Sequence, residues 1–221
     1  KADSLKYRAA RFLIENMPLH YGYAGPGVAQ FRDVYDSVFC DKSISRAELR
    51  RRTAHCQADP AEIHPAFDIA TIRSEILIRP IDHAFEVYAY EWNRDLTFDD
   101  FCEVVLPYRI GNEQIEDWMP AYRQSLESAI HMLSATHADR RTVASVLKDS
   151  LKAMDYEFLD ETTMKVELSP TDYLHAAGGA CPEITCIVTY ALRSVGLPVN
   201  YDYIIQWANR SQTHSWNSLQ L

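Results

Sequence analysis

Two residues in the last quarter of the chain have the types needed for nucleophilic acyl transfer, Cys181 and His214. Cys181-Pro182 opens a run in which Ile184, Ile187, Val188, Ala191, Leu192 and Val195 recur at helical spacing, and Pro suits a first helical turn. At a helix start, unpaired N–H groups and the helix dipole favour an anion, so a thiolate is more available there. The small residues Ala176-Ala-Gly-Gly-Ala180 would let a substrate carbonyl come close to the sulfur, and the Cys181 N–H would help to hold a developing oxyanion. At about 100° per residue, Cys181 falls near the inward stripe of its helix. His214 lies in a later strand-like run, and an antiparallel return would bring its imidazole beside the thiol. A thiol next to an imidazole is the minimum constellation for cysteine nucleophilic catalysis. Taken singly, a cysteine at a helix start is more often a small core residue than a nucleophile. The order of elements around it is what points to chemistry.

Other candidates carry less. Trp207 and Trp216, with Ala180, would wall or support such a site, although an aromatic on a strand is more often core. Cys186 is too close to Cys181 for a good helical dithiol and lies opposite the apolar stripe. Cys102, in Phe-Cys-Glu-Val-Val-Leu, reads as a buried small residue. His55, Cys56 and His64 lack a second pair at ligand spacing, so no metal is expected. Arg50-Arg-Arg52 reads as a solvated helix face. No glycine-rich phosphate motif occurs, and no cofactor is expected.

The elements that must position these residues change character near residue 150. Residues 1–150 read as a helical region. Ser4 would cap the first helix and Pro18 would stop it; a second runs from Pro26 to Phe39; Ser45-Arg-Ala-Glu48 is a capping box. Asp68 to Ile78 and Ile81 to Trp92 read as helices interrupted at Pro80. Thr97-Phe-Asp-Asp100 opens another helix, ended by Pro107, and Pro120–Leu133 and Asp139–Leu151 complete the set. Beyond, Thr163–Leu168 alternates like a strand, and Ser169-Pro-Thr-Asp172 is turn material. The Cys181 helix ends at Gly196, before Pro198. Val199–Gln206 reads as a strand, Ala208–Thr213 as a polar loop, and His214–Leu221 as the returning strand.

The whole chain has 221 residues with 22 basic against 31 acidic, a net charge of −9. A net acidic chain lacks the electrostatic footprint of a nucleic-acid binder. No apolar run approaches the ~18 residues that span a bilayer, so the chain is not expected to be membrane-embedded. Five cysteines without close pairing are not the framework of a disulfide-stapled domain. The chain opens on Lys1 and closes on strand-like sequence, so we expect a fragment that continues past Leu221, with an initiator or targeting segment removed.

Gly179-Ala-Cys181, Ala191-Leu-Arg-Ser-Val-Gly-Leu-Pro198, Trp207 and His214-Ser-Trp216 together resemble the signature of transglutaminase-like proteins. The resemblance covers roughly residues 165–221. It implies an α+β fold in which a largely helical N-terminal part precedes a papain-like core over residues 151–221, truncated after the His strand. It also implies Cys181 as nucleophile and His214 as general base. The softer likeness of Asn16-Met-Pro-Leu-His-Tyr21 and Leu106-Pro-Tyr-Arg109 is to exported bacterial members, which implies a periplasmic or cell-surface location. The family's third member, an acid that orients the imidazole, would lie beyond residue 221. Asn217 or Asp202 would replace it only if the fold placed them at the ring.

The expected activity is that of a cysteine acyl hydrolase or transferase on peptide or other amide substrates. Water capture of the thioester would make it a peptidase or amidase, the favoured case, and amine capture a transglutaminase. The alternative is a non-catalytic transglutaminase-like binding or scaffold module. A further C-terminal domain is expected in the parent protein.

Overall fold

The computed structural model describes residues 2–40, 45, 47–48, 51–52, 62–152, 157–158, 166–175, 178–209 and 211–221. The first helix, α1 (Ala2–Asn16), begins ahead of Ser4, which therefore lies inside it rather than capping it. It buries Ala9 and Leu13 and gives way to a 3-10 turn, Met17–Leu19, that carries Pro18. A short ribbon follows that the helical reading does not anticipate. Strand β1 (Tyr21–Ala24) pairs antiparallel with β2 (His64–Phe67), with Tyr21 opposite Phe67. Four residues are too few to set a period in the sequence. Helix α2 (Gly27–Cys40) starts after Pro26 and buries Phe31 and Val34. The capping pattern at Ser45 is present: its Oγ accepts the Glu48 N–H at 3.2 Å.

The break among the next helices falls elsewhere than expected. Helix α3 (Asp68–Thr71) is separated from α4 (Ser74–Tyr88) by extended backbone at Ile72 and Arg73, and Pro80 sits within α4. A proline inside a helix removes one N–H and crowds the preceding turn. Here Pro80 is buried with Leu77, Ile81 and Ala84, and α4 runs through it. Helix α5 (Phe98–Val104) is capped by Thr97, whose Oγ1 accepts the Asp100 N–H at 3.1 Å. The expected single helix Pro120–Leu133 is two, α6 (Met119–Ser125) and α7 (Glu127–Ser134), because buried Leu126 leaves helical geometry between them. Asp139 caps α8 (Arg140–Lys152), its Oδ1 accepting the Thr142 N–H at 2.8 Å.

The expected strand over 163–168 lies partly outside the described residues, and Val166–Leu168 is not in a strand. The expected turn at Ser169 is the start of α9 (Pro170–His175), with Ser169 Oγ accepting the Asp172 N–H at 3.3 Å. Two-residue strands β3 (Glu157–Phe158) and β4 (Gly178–Gly179) pair in parallel.

Helix α10 (Cys181–Arg193) follows, and its end is set by Gly196 at φ +78. The Leu197 N–H reaches the Leu192 carbonyl at 3.0 Å and the Gly196 N–H reaches that of Arg193 at 2.9 Å, a Schellman termination. Strands β5 (Val199–Ile204) and β6 (His214–Leu219) then form an antiparallel hairpin in the register Val199 to Leu219 and Ile204 to His214. The molecule is thus α+β, with small sheets among many helices.

The core does not stop at residue 150. A single apolar cluster runs from Ala9 to Val199. The Trp92 indole N–H donates to the Val195 carbonyl at 2.9 Å, and Tyr122 Oη donates to the Pro170 carbonyl at 2.8 Å. The Trp118 and Tyr190 rings meet at 4.7 Å. Helix α10 is nearly surrounded by this core, with Thr185 to Ile187 and Thr189 to Arg193 all buried. No helix among the described residues is long and apolar enough to cross a membrane.

Candidate functional site

Cys181 is the first residue of α10 and is half-buried. Ala180, the residue before it, has no side-chain oxygen, so no side chain of the N-cap residue satisfies the first-turn amides. The Glu183 side chain turns back instead, and its Oε2 accepts the Ala180 N–H at 2.9 Å. That turn explains the glycine two places before the cysteine. A Cβ at Gly179 would run into the Glu183 side chain, so this glycine serves the helix start itself.

The hairpin lies across this helix start. Thr185 Oγ1 donates to the Cys181 carbonyl at 2.7 Å and meets Ser215 Oγ at 3.1 Å. Asn217 Nδ2 donates to the Thr185 carbonyl at 3.1 Å and to Thr189 Oγ1 at 2.8 Å. Alternation along a strand then fixes the rest. Val199, Tyr201, Ser215, Asn217 and Leu219 face α10. His214, Trp216 and Ser218, with Asp202 and Ile204 across the ribbon, face away from it. Tyr201 shares the helix side with Cys181. Burial pushes its hydroxyl up to about 12, the Ser215 hydrogen bond opposes this, and the charges of Cys186, Glu167 and Cys181 add to it.

His214 therefore stands on the other face of the hairpin from the thiol. Its ring stacks between Trp207, with centroids 5.5 Å apart and planes at 29°, and Trp216, at 6.0 Å and 28°. The structure brings His214, Trp207 and Trp216 together, and brings Cys181 and Ala180 to one helix start. Among the described residues no hydrogen bond joins Cys181 to His214. Neither candidate replacement for an orienting acid sits on the imidazole. Asn217 is engaged with α10, and Asp202, although on the His214 face, accepts from Ser218 Oγ.

Cys186 is buried within α10's packing rather than opposite its apolar stripe, because the core closes round this helix. Burial, with the charges of Glu113, Glu167 and Glu183, pushes its thiol well up. Cys102 is buried and its thiol is pushed up to about 11, mainly by desolvation. His55 and Cys56 lie outside the described residues, and His64 is an exposed residue of β2. No group of metal-ligating side chains occurs among the described residues. Of Arg50-Arg-Arg52, Arg50 lies outside the described residues, and Arg51 and Arg52 are both paired with Glu48, at 2.7 and 2.9 Å.

A buried polar cluster that no sequence motif marks lies beneath α10. Glu113 is fully buried; its carboxylate accepts the Ile110 N–H at 2.6 Å, the Gly111 N–H at 2.7 Å and the Tyr190 hydroxyl. Glu167 Oε2 accepts the next amide, that of Asn112, at 2.9 Å. Burial pushes Glu167 up to about 7, and the neighbouring Glu113 adds to this. A glutamate in Ile110-Gly-Asn-Glu113 has the sequence appearance of an ordinary loop residue, and only the fold brings it to Tyr190.

Comparison with protein-family models, curated proteins and solved structures finds no match to this chain.

Proposed function

We propose that the chain carries a transglutaminase-like acyl-transfer site with Cys181 as its nucleophile, acting on peptide or other amide bonds. The observation that carries the reading is the half-buried thiol at the start of a 13-residue helix whose N-cap residue supplies no side-chain oxygen, with β6 held through Ser215 to Thr185, four residues further along the same helix. In the reaction the Cys181 thiolate attacks the amide carbon. A C–S bond forms, and the carbonyl oxygen takes up negative charge beside the first-turn amides. Collapse of this intermediate breaks the C–N bond, and the proton taken from the thiol passes through an imidazole to the departing amine. Water or an amine then attacks the thioester carbon, the C–S bond breaks, the Cys181 thiol is restored, and an acid or a new amide leaves.

His214 is the imidazole in this reading, and it must cross from the tryptophan-lined face to the helix face. It is the first residue of β6, paired with Ile204 beside the 205–213 connection, so the change falls on that end of the ribbon. Amide hydrolysis or transamidation should be followed with dansylated peptides, for the protein and for Cys181→Ala and His214→Ala. We expect both variants to lose activity by a factor on the order of a hundred or more. Activity that survives Cys181→Ala would end the reading.

A second reading has its own observation. The Trp207–His214–Trp216 stack on the outer face of the hairpin suits a binding surface in a non-catalytic transglutaminase-like module. It is favoured if no amide is turned over and Cys181 alkylates at the same rate with and without His214.

A further inference from the structure

The polar cluster beneath α10 has a property independent of the acyl-transfer reading. Three successive backbone amides, at Ile110, Gly111 and Asn112, serve two carboxylates, Glu113 and Glu167. A Cβ at Gly111 would meet Glu167 Oε1 at 3.0 Å, so that carboxyl lies directly against the loop backbone. The two groups differ in their donors. Glu113 accepts two amides and the Tyr190 hydroxyl. Glu167 accepts one amide and is partly withdrawn from water beside a second carboxyl, an arrangement that suits the acid form.

The charged surroundings do not remove the conflict. From α10, Arg193 faces Glu113, whereas Glu183 faces Glu167 and adds negative charge. Cys186 and Tyr190 of the same helix also face the pair. Tyr108 comes toward Glu113 from the segment after α5, and Tyr23 of β1 and Tyr201 of β5 come toward Glu167. None of the tyrosines supplies a positive charge. Glu167 also lines a cleft of about 260 Å³ with Phe31 and Arg32 of α2, Gln114, and Asp172 of α9. The Arg32–Asp172 ion pair, at 3.0 Å, ties α2 to α9.

We propose that Glu113 and Glu167 share one proton, and that this proton latches the 166–169 wall of the cleft to the 110–113 loop. While the proton is present, the Glu167 carboxyl donates toward Glu113 and both segments are held. When it leaves for solvent, two carboxylates meet on one stretch of backbone and the wall loosens. Because the carboxyl of Glu167 is raised in the fold, the folded chain binds the proton more tightly than the unfolded one. The latch thus contributes fully below about pH 4.5, loses its contribution as pH rises, and contributes nothing above about pH 7.

The test compares the protein with Glu167→Gln, whose amide keeps a donor and cannot ionise. Thermal unfolding midpoints are measured from pH 5 to 8. The variant should gain on the parent steadily up to pH 7 and hold a constant lead above it. The change in relative folding equilibrium should be on the order of a hundredfold across the window. A difference that does not vary with pH would overturn the proposal. Carbon-13 titration of the glutamate carboxyls in the unmodified protein gives a second reading that does not depend on the variant folding. One carboxyl titrating near neutrality, and lost in Glu113→Gln, supports the shared proton; all carboxyls titrating below pH 5 refutes it.

Discussion

Within the site, single atoms decide what each cysteine does. Cys181 is half-buried at a helix start, whereas Cys102 and Cys186 are buried and their thiols are pushed up by desolvation. Iodoacetamide added to the native protein should therefore alkylate Cys181 well before Cys102 or Cys186, as read by peptide mass. Tyr190 offers a second test. Its hydroxyl serves Glu113 inside the core, so Tyr190→Phe leaves a buried carboxylate oxygen short of a donor. Denaturant titration should show a loss of about 1–3 kcal/mol. The sequence made Cys181 legible because Pro182 and the periodic run after it mark a helix start. The direction in which His214 points was not legible, since alternation says only that neighbours oppose each other and packing selects the face. It is the Ser215–Thr185 contact that turns Ser215 to the helix and His214 away.

At the level of elements, local chemistry set the ends more reliably than the interiors. Thr97, Asp139 and Gly196 punctuate their helices as their residue types predict. Pro80 does not, because a proline buried among Leu77, Ile81 and Ala84 gains enough packing to remain in α4. Leu126 ends α6 although nothing in its type signals a stop, and the four-residue ribbon β1–β2 is too short to leave a pattern. Gly196 is the most exacting of these positions. Its φ of +78 favours glycine, and an added Cβ would lie 2.7 Å from the Val87 carbonyl oxygen. Gly196→Ala should lower stability by about 1–3 kcal/mol, read from the denaturation midpoint, by straining the turn that feeds β5.

Across the whole molecule, the apolar cluster joins the helical region to the Cys181 helix, through Trp92 to Val195, Tyr122 to Pro170 and Trp118 to Tyr190. This shared packing was not legible in the sequence, since it depends on which side chains meet across distant elements. Residues 151–221 expressed alone should lack the cooperative melting of the whole chain, by far-ultraviolet circular dichroism, because the partners of α10 would be missing. The same arrangement divides the four tryptophans. Trp92 and Trp118 are shut in the core, while Trp216 is 42% exposed and stacks with Trp207 around one imidazole. Emission from the first pair reports whether the molecule is folded. Emission from the second reports the state of the hairpin, open to a soluble quencher and sensitive to the ring between the indoles. The protein thus carries an optical gauge of its candidate site and needs no added label, and a move of His214 toward the thiol would register as a change in colour and lifetime before any substrate is found.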